Sequence, residues 1–196
     1  MTSRALSSPL IEEFFPAQGS LSRQLFLIFI GVIFIALFSQ FSLSFGPIPV
    51  MLQSLIILLT AAIYGARLAT LTLFVYVLLG GMGLEVFAGG LSGWRILTGA
   101  SGGYIFGYLV ASTVVGFLAQ SGWDRKFNST VYAMLIGHLL IYLPGLLWLK
   151  VSTPSWKTTL ELGLLPFISA DLIKVLILAC LLPFSWKLVD LSKKLF

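Results

Sequence analysis

The chain has 196 residues, 58% of them hydrophobic and only 10% charged, with 12 Lys and Arg against 7 Asp and Glu for a formal net charge of +5. Soluble domains carry roughly a quarter of their residues as charge, so this composition, with a mean hydropathy of +1.03, excludes a water-soluble globule: too little polar surface exists to cover the apolar surface. The basic residues are scattered among the ends of apolar runs rather than gathered in a stripe, which argues against a nucleic-acid partner and points to topology in a lipid bilayer.

Taken in chain order, residues 1–24 read as an arm at the cytoplasmic side, in which Glu12 and Glu13 rule against a signal peptide and Pro16 and Gly19 punctuate the approach to the first helix. Residues 25–190 are expected to form one all-α integral membrane domain of six transmembrane helices, followed by a cytoplasmic tail over 191–196. The expected spans are Leu25 to Phe45, a short Val50 to Ala62, Ala66 to about Leu79, Gly99 to Ala119, Thr130 to Leu149 and Leu162 to Leu188. Pro47 and Pro49 interrupt the chain between the first two, and a glycine cluster at Gly80, Gly81 and Gly83 closes the third.

The basic residues test this count. With both termini cytoplasmic, Arg4, Arg23, Arg67, Arg125, Lys126, Lys187, Lys193 and Lys194 fall inside, while Arg95, Lys150 and Lys157 fall in the outer loops, the bias that the positive-inside rule requires. The outer loops, rich in Gly and Pro, are irregular backbone that must be covered by protein or line a cavity, so the ligand-facing side is expected to be the outer one. Trp94, Trp148, Trp156 and Trp186 lie near span ends and read as interfacial anchors. The single cysteine, Cys180, reads as a small buried hydrophobe.

Asp171 and Lys174 in the sixth segment are three apart and share a helix face. Ionisable residues within a span mark a functional site by default, and the pair admits two readings: a structural ion pair, or a carboxylate and an ammonium that contact a ligand. His138 reads as an interhelical hydrogen-bonding residue first and as a ligand contact or proton relay second, and with no second histidine a His-based metal cluster is excluded. Tyr104 and Tyr108 share a face and either stack on a ligand or pack. Gly99-Ala100-Ser101-Gly102-Gly103 either offers helix N–H donors to a bound group or allows close helix packing. Gln53 either floors a lid with Pro47 and Pro49 or bonds between helices. No H-E-x-x-H is present, and the one G-x-S-x-G pattern, Gly99 to Gly103, opens an apolar span with no predicted strand before it, as a nucleophile elbow would need, so no enzyme activity and no metal or cofactor is expected.

Three ordered stretches resemble a known family, the BioY type of biotin-specific substrate-binding (S) component of energy-coupling factor (ECF) vitamin transporters. They are Phe45-Gly46-Pro47-Ile48-Pro49-Val50-Met51-Leu52-Gln53; Gly80 to Gly90 with Gly99 to Tyr104; and Ile141-Tyr142-Leu143-Pro144-Gly145 with Asp171-x-x-Lys174. The resemblance implies a six-helix subunit of the cell membrane that captures biotin from outside and works with a transmembrane coupling subunit and two cytosolic ATPases. It implies ligand contacts at Asp171 and Lys174, with Phe87, Gly90, Tyr104, Gln53 and Tyr142 around them. An S component for another small vitamin, or a small membrane assembly protein, is the alternative. Three features depart from the family pattern: Glu85, where proline is common, which either rims the entrance or pairs with Arg95; Ala100-Ser101, where Pro-Thr is usual; and Gly31, Ile35 and Ser39 where the first helix usually shows an Ala-x-x-x-Ala docking surface.

Overall fold

The structure, a computed structural model, describes residues 8–14, 20–44 and 49–195. Arg4, Pro16, Gly19 and the Phe45 to Ile48 part of the first motif, Pro47 included, lie outside the described residues. In chain order the elements are α1 (Leu10–Phe14), α2 (Leu21–Ser39), strands β1 (Ser42–Ser44) and β2 (Pro49–Met51), α3 (Gln53–Gly81), α4 (Trp94–Thr98), α5 (Gly102–Gln120), α6 (Phe127–Val151), α7 (Trp156–Gly163) and α8 (Leu165–Leu195). Strands β1 and β2 pair antiparallel, Leu43 opposite Val50, so the first expected span is helical only as far as Ser39 and its tail joins a small ribbon.

Five helices, α2, α3, α5, α6 and α8, are long and apolar enough to cross a membrane. The expectation of six separate spans is corrected to this extent: the second and third expected segments are both inside α3. That element is not one rod. Gly65 interrupts it with φ 76° and ψ 171°, and the Gln53 amide donates to the Tyr76 hydroxyl at 3.0 Å. In a continuous helix those residues would be roughly 35 Å apart, so the two halves fold back on one another as an antiparallel hairpin. Glycine tolerates the positive φ that the reversal requires, and the Gln120 side chain caps the second half by accepting from the Ala66 N–H at 3.1 Å.

Close packing joins the helices, as lipid-embedded helices require. A Cβ on Gly107 of α5 would lie 2.7 Å from the Ile141 carbonyl oxygen of α6, and one on Gly31 of α2 would lie 2.7 Å from the Thr72 methyl of α3. Gly31, Ile35 and Ser39 are buried, and Ser39 and Tyr76 share a hydrogen bond at 3.2 Å. The stripe that departs from the family's docking pattern therefore faces inward on α3. Large apolar side chains such as Phe29, Phe74, Phe117, Leu139 and Phe184 cover the outside, the surface a bilayer would solvate, and Cys180 is exposed there rather than buried.

The two ends of the bundle differ. At one end α1, the Gly65 turn, the short 3-10 turn Trp123–Arg125 and the last turns of α8 come together. Trp186 is buried there rather than serving as an interfacial anchor: its indole N–H donates to Asp124 at 2.6 Å, the Arg125 guanidinium stacks 4.3 Å from its ring, and Leu10 packs against it. Burial pushes the Asp124 carboxyl above the usual range, with the Trp186 hydrogen bond acting in the opposite direction. Lys193 and Glu13 pair at 2.6 Å, tying the amino-terminal arm to the end of α8. Trp94, Trp148 and Trp156 are exposed at the other end.

Candidate functional site

That other end holds a cavity of about 400 Å³, within the size range of small-molecule sites. Every long helix except α2 supplies part of its wall. Gln53 and Ser54 come from the start of α3, Tyr104 and Tyr108 from the start of α5, His138 and Tyr142 from α6, and Phe167, Asp171 and Lys174 from the first turns of α8. Phe87, Ala88 and Leu91 of the loop after α3, Ile96 of α4, Ala100 and Ser101 ahead of α5, and Leu162 and Gly163 at the end of α7 add to it.

Its polar centre is compact. The Lys174 ammonium donates to Asp171 Oδ1 at 2.7 Å and to the Ser54 hydroxyl at 2.9 Å, while the Tyr142 hydroxyl donates to Asp171 Oδ2. An ammonium has three N–H donors, so two are used here and one remains for a ligand. Asp171 and Lys174 are 8% and 5% exposed. At that burial neither charge is tolerable alone, and the pair with its two hydroxyl partners leaves the site neutral and hydrogen-bonded.

His138 was expected to bond between helices. Its Nδ1 instead meets the carbonyl oxygen of Met134 on its own helix at 2.9 Å. Nε2 stands 3.6 Å from Asp171 Oδ1 with no hydrogen-bond partner. The ring therefore forms part of the cavity's polar centre.

The remaining expected residues divide by role. Tyr104 presents its ring to the cavity and to Tyr142, edge to face at 6.3 Å, while its hydroxyl donates to the Gly163 carbonyl oxygen at 2.9 Å. Phe87 is almost wholly buried, packed against Gly80 and edge-on to Tyr76. Gln53 lines the cavity, yet its amide is bound to Tyr76, so it performs the helix-to-helix bonding that was one of its two readings. Gly90 is not among the lining residues: its N–H is held by Gln40 Oε1 at 2.7 Å on the far side of the loop. Glu85 is exposed and forms no ion pair with Arg95. Ala100 and Ser101 reach the cavity, whereas Gly103 and Gly107 pack on α6, so the glycine-rich stretch does both things its composition allowed.

Ser54 and Phe167 were not singled out as ligand contacts, and for His138 that was the second of two readings. Ser54 had a visible signal, a polar residue beside Gln53 in an apolar run. Phe167 had none, since an aromatic residue in a span is ordinarily a packing residue.

A bundle of apolar helices closed around a small, mostly apolar recess with one charge-compensated polar centre is the architecture of a membrane-embedded capture protein. Residues 7–191 match the profile of the BioY family. The biotin transporter BioY2 of Lactococcus lactis subsp. cremoris is 36% identical over 164 residues, 82% of this chain and 88% of that protein. The biotin transporter BioY of Thermotoga maritima is 33% identical over 171 residues, 87% of this chain and 99% of that one. A crystal structure of the S-component for biotin from an ECF-type ABC transporter shares the fold, with a TM-score of 0.71 at 24% identity over 85% of this chain and 92% of that chain. The chain belongs to the BioY family. It is accordingly a multi-pass protein of the cell membrane and a non-catalytic substrate-capture component for a small vitamin.

Proposed function

We propose that this chain captures biotin from the outer side of the membrane and delivers it inward together with an ECF transmembrane coupling subunit and two cytosolic ATPases. The observation that carries the reading is the polar centre of the cavity in a BioY-family chain: Asp171, Lys174 and Tyr142 joined by hydrogen bonds at one wall of an otherwise apolar and aromatic recess. Biotin offers the matching chemistry, with ureido N–H donors, a carbonyl, a carboxylate and an apolar thioether ring. Asp171, Lys174 and Tyr142 supply the polar contacts, Phe87 and Tyr104 the walls, Gln53 the brace beneath them, and Gly90 the backbone of the covering loop. The relatives named as biotin transporters support the same substrate.

In this reading the binding domain spans residues 25–190 and crosses the bilayer six times, because the α3 hairpin makes two crossings from one element. The arm 1–24 and the tail 191–196 are both cytoplasmic. The distribution of charge supports this orientation: Arg67 follows the Gly65 turn, Arg125 and Lys126 lie in or beside the 3-10 turn, and Lys193 lies in the last turn of α8, all at the end away from the cavity. Arg95, Lys150 and Lys157 flank the cavity end. The test of substrate is competition: radiolabelled biotin bound to the detergent-purified chain, challenged by a panel of other vitamins in excess. Displacement by unlabelled biotin alone is the expected result, and stronger displacement by another vitamin would replace biotin as the substrate.

A further inference from the structure

The loop between α3 and α4 forms one wall of the cavity; its far end is held by the Gly93 N–H, which donates to the Gly80 carbonyl oxygen at 2.7 Å, and around Phe87 it has two further attachments. The first is buried. Phe87 is 2% exposed, its ring lies on Gly80 and edge-on to Tyr76, and the Tyr76 hydroxyl donates to the Val86 carbonyl oxygen at 2.8 Å. The second is exposed and comes from a single side chain. Gln40, the residue that ends α2, donates from Nε2 to the Phe87 carbonyl oxygen at 3.0 Å, and its Oε1 accepts from the Gly90 N–H at 2.7 Å. One amide thus bonds a donor and an acceptor of the loop, while its Nε2 also donates to the Ala36 carbonyl oxygen of α2 at 3.2 Å, which orients it.

The segment between these attachments is a tight turn, closed by the Phe87 N–H to the Leu91 carbonyl oxygen and by the Gly90 N–H to the Phe87 carbonyl oxygen, both at 3.1 Å. Gly89 and Gly90 have φ of 72° and 71°, a region that glycine enters and leaves with little steric penalty. Ala88 and Leu91, which line the cavity, flank them. The Phe87 anchor has no water with which to exchange its contacts, whereas the exposed Gln40 amide does, and hydrogen bonds open to such exchange have small net strength. Release of Gln40 would leave the 88–91 turn, still closed on Phe87, able to tilt as a unit about that anchor while leaving the bundle intact.

We propose that Gln40 is a positioning residue for ligand retention, a latch that holds the 88–91 segment over the cavity and sets the rate at which the bound vitamin leaves. The inference rests on the biotin reading above. It assigns a role in binding to the end of α2, the one long helix that supplies no residue to the cavity wall.

The experiment compares wild type, Gln40→Ala and Gln40→Glu in the detergent-purified full chain. Dissociation of labelled biotin is followed after a chase with unlabelled biotin, association is followed separately, and melting is recorded without ligand. Gln40→Ala is expected to dissociate roughly tenfold faster, the effect of losing one exposed and one part-buried hydrogen bond to the loop, with association and melting close to wild type. Gln40→Glu keeps the acceptor for Gly90 and loses the donor to Phe87, so it is expected to fall between. A Gln40→Ala dissociation rate equal to wild type overturns the latch, and so does a variant whose melting and association suffer along with dissociation, which would make Gln40 a general structural residue. A wild-type chain that fails to bind biotin at all overturns the biotin reading itself, and the latch for biotin with it.

Discussion

Asp171 and Lys174 stand one helical turn apart on α8, each costly in an apolar interior on its own, and each satisfied by the other and by a hydroxyl from a different helix. Ser54 on α3 and Tyr142 on α6 turn an ion pair within one helix into a tie among three. The pair is therefore expected to couple strongly in stability and in binding. Replacing Lys174 by Met leaves an uncompensated buried carboxylate and is expected to destabilise the fold by about 3–5 kcal/mol. The double variant Asp171→Asn with Lys174→Met removes both charges and is expected to recover most of that loss, while binding no ligand. Thermal unfolding of the purified single and double variants checks this, and additive losses would show that the two residues do not compensate one another. The sequence spacing made this pair legible. The contributions of His138 and Ser54 were hidden because they depend on which helices become neighbours, and a lone polar residue in an apolar run looks the same whether it faces a cavity or another helix.

At the scale of elements, the α3 hairpin positions the site. Folding back at Gly65 brings Tyr76 beside Gln53 at the cavity end and sends Arg67 to the opposite end. A Cβ at position 65 would lie 2.9 Å from the Gln120 side chain and would be held at a φ that side-chain-bearing residues rarely adopt. Gly65→Ala is therefore expected to destabilise the protein by about 1–3 kcal/mol, read as a lower melting temperature. An unchanged melting temperature would mean that the chain does not reverse at this residue. The break itself was readable, because Gly65 parts two apolar runs and the basic Arg67 follows the glycine. The ends of the other helices were less so: α8 runs on to Leu195 rather than stopping at Leu188, and residues 156–163 form a helix of their own. Trp186 was misread for a related reason. Its place near the end of a span suggested an interfacial belt, but α1 and the Asp124 turn cover it, and neither contact has a signature in the local sequence.

For the whole molecule, the two ends of the bundle imply opposite exposures in the cell. Thr153 borders the cavity end and Lys126 the opposite end. In a Cys180→Ser background, Thr153→Cys is expected to react with a membrane-impermeant thiol reagent on intact cells and Lys126→Cys only after the membrane is opened. The reverse pattern would invert the topology and put the cavity on the cytoplasmic side. The proposed capture of biotin is tested most directly by equilibrium titration of biotin into the purified chain, with Asp171→Asn beside it. The account requires tight wild-type binding, saturating at one biotin per chain, and at least a hundredfold loss in a variant that remains folded, a difference of about 2.7 kcal/mol. Equal affinity in the two proteins, or no binding by folded wild type, would contradict it.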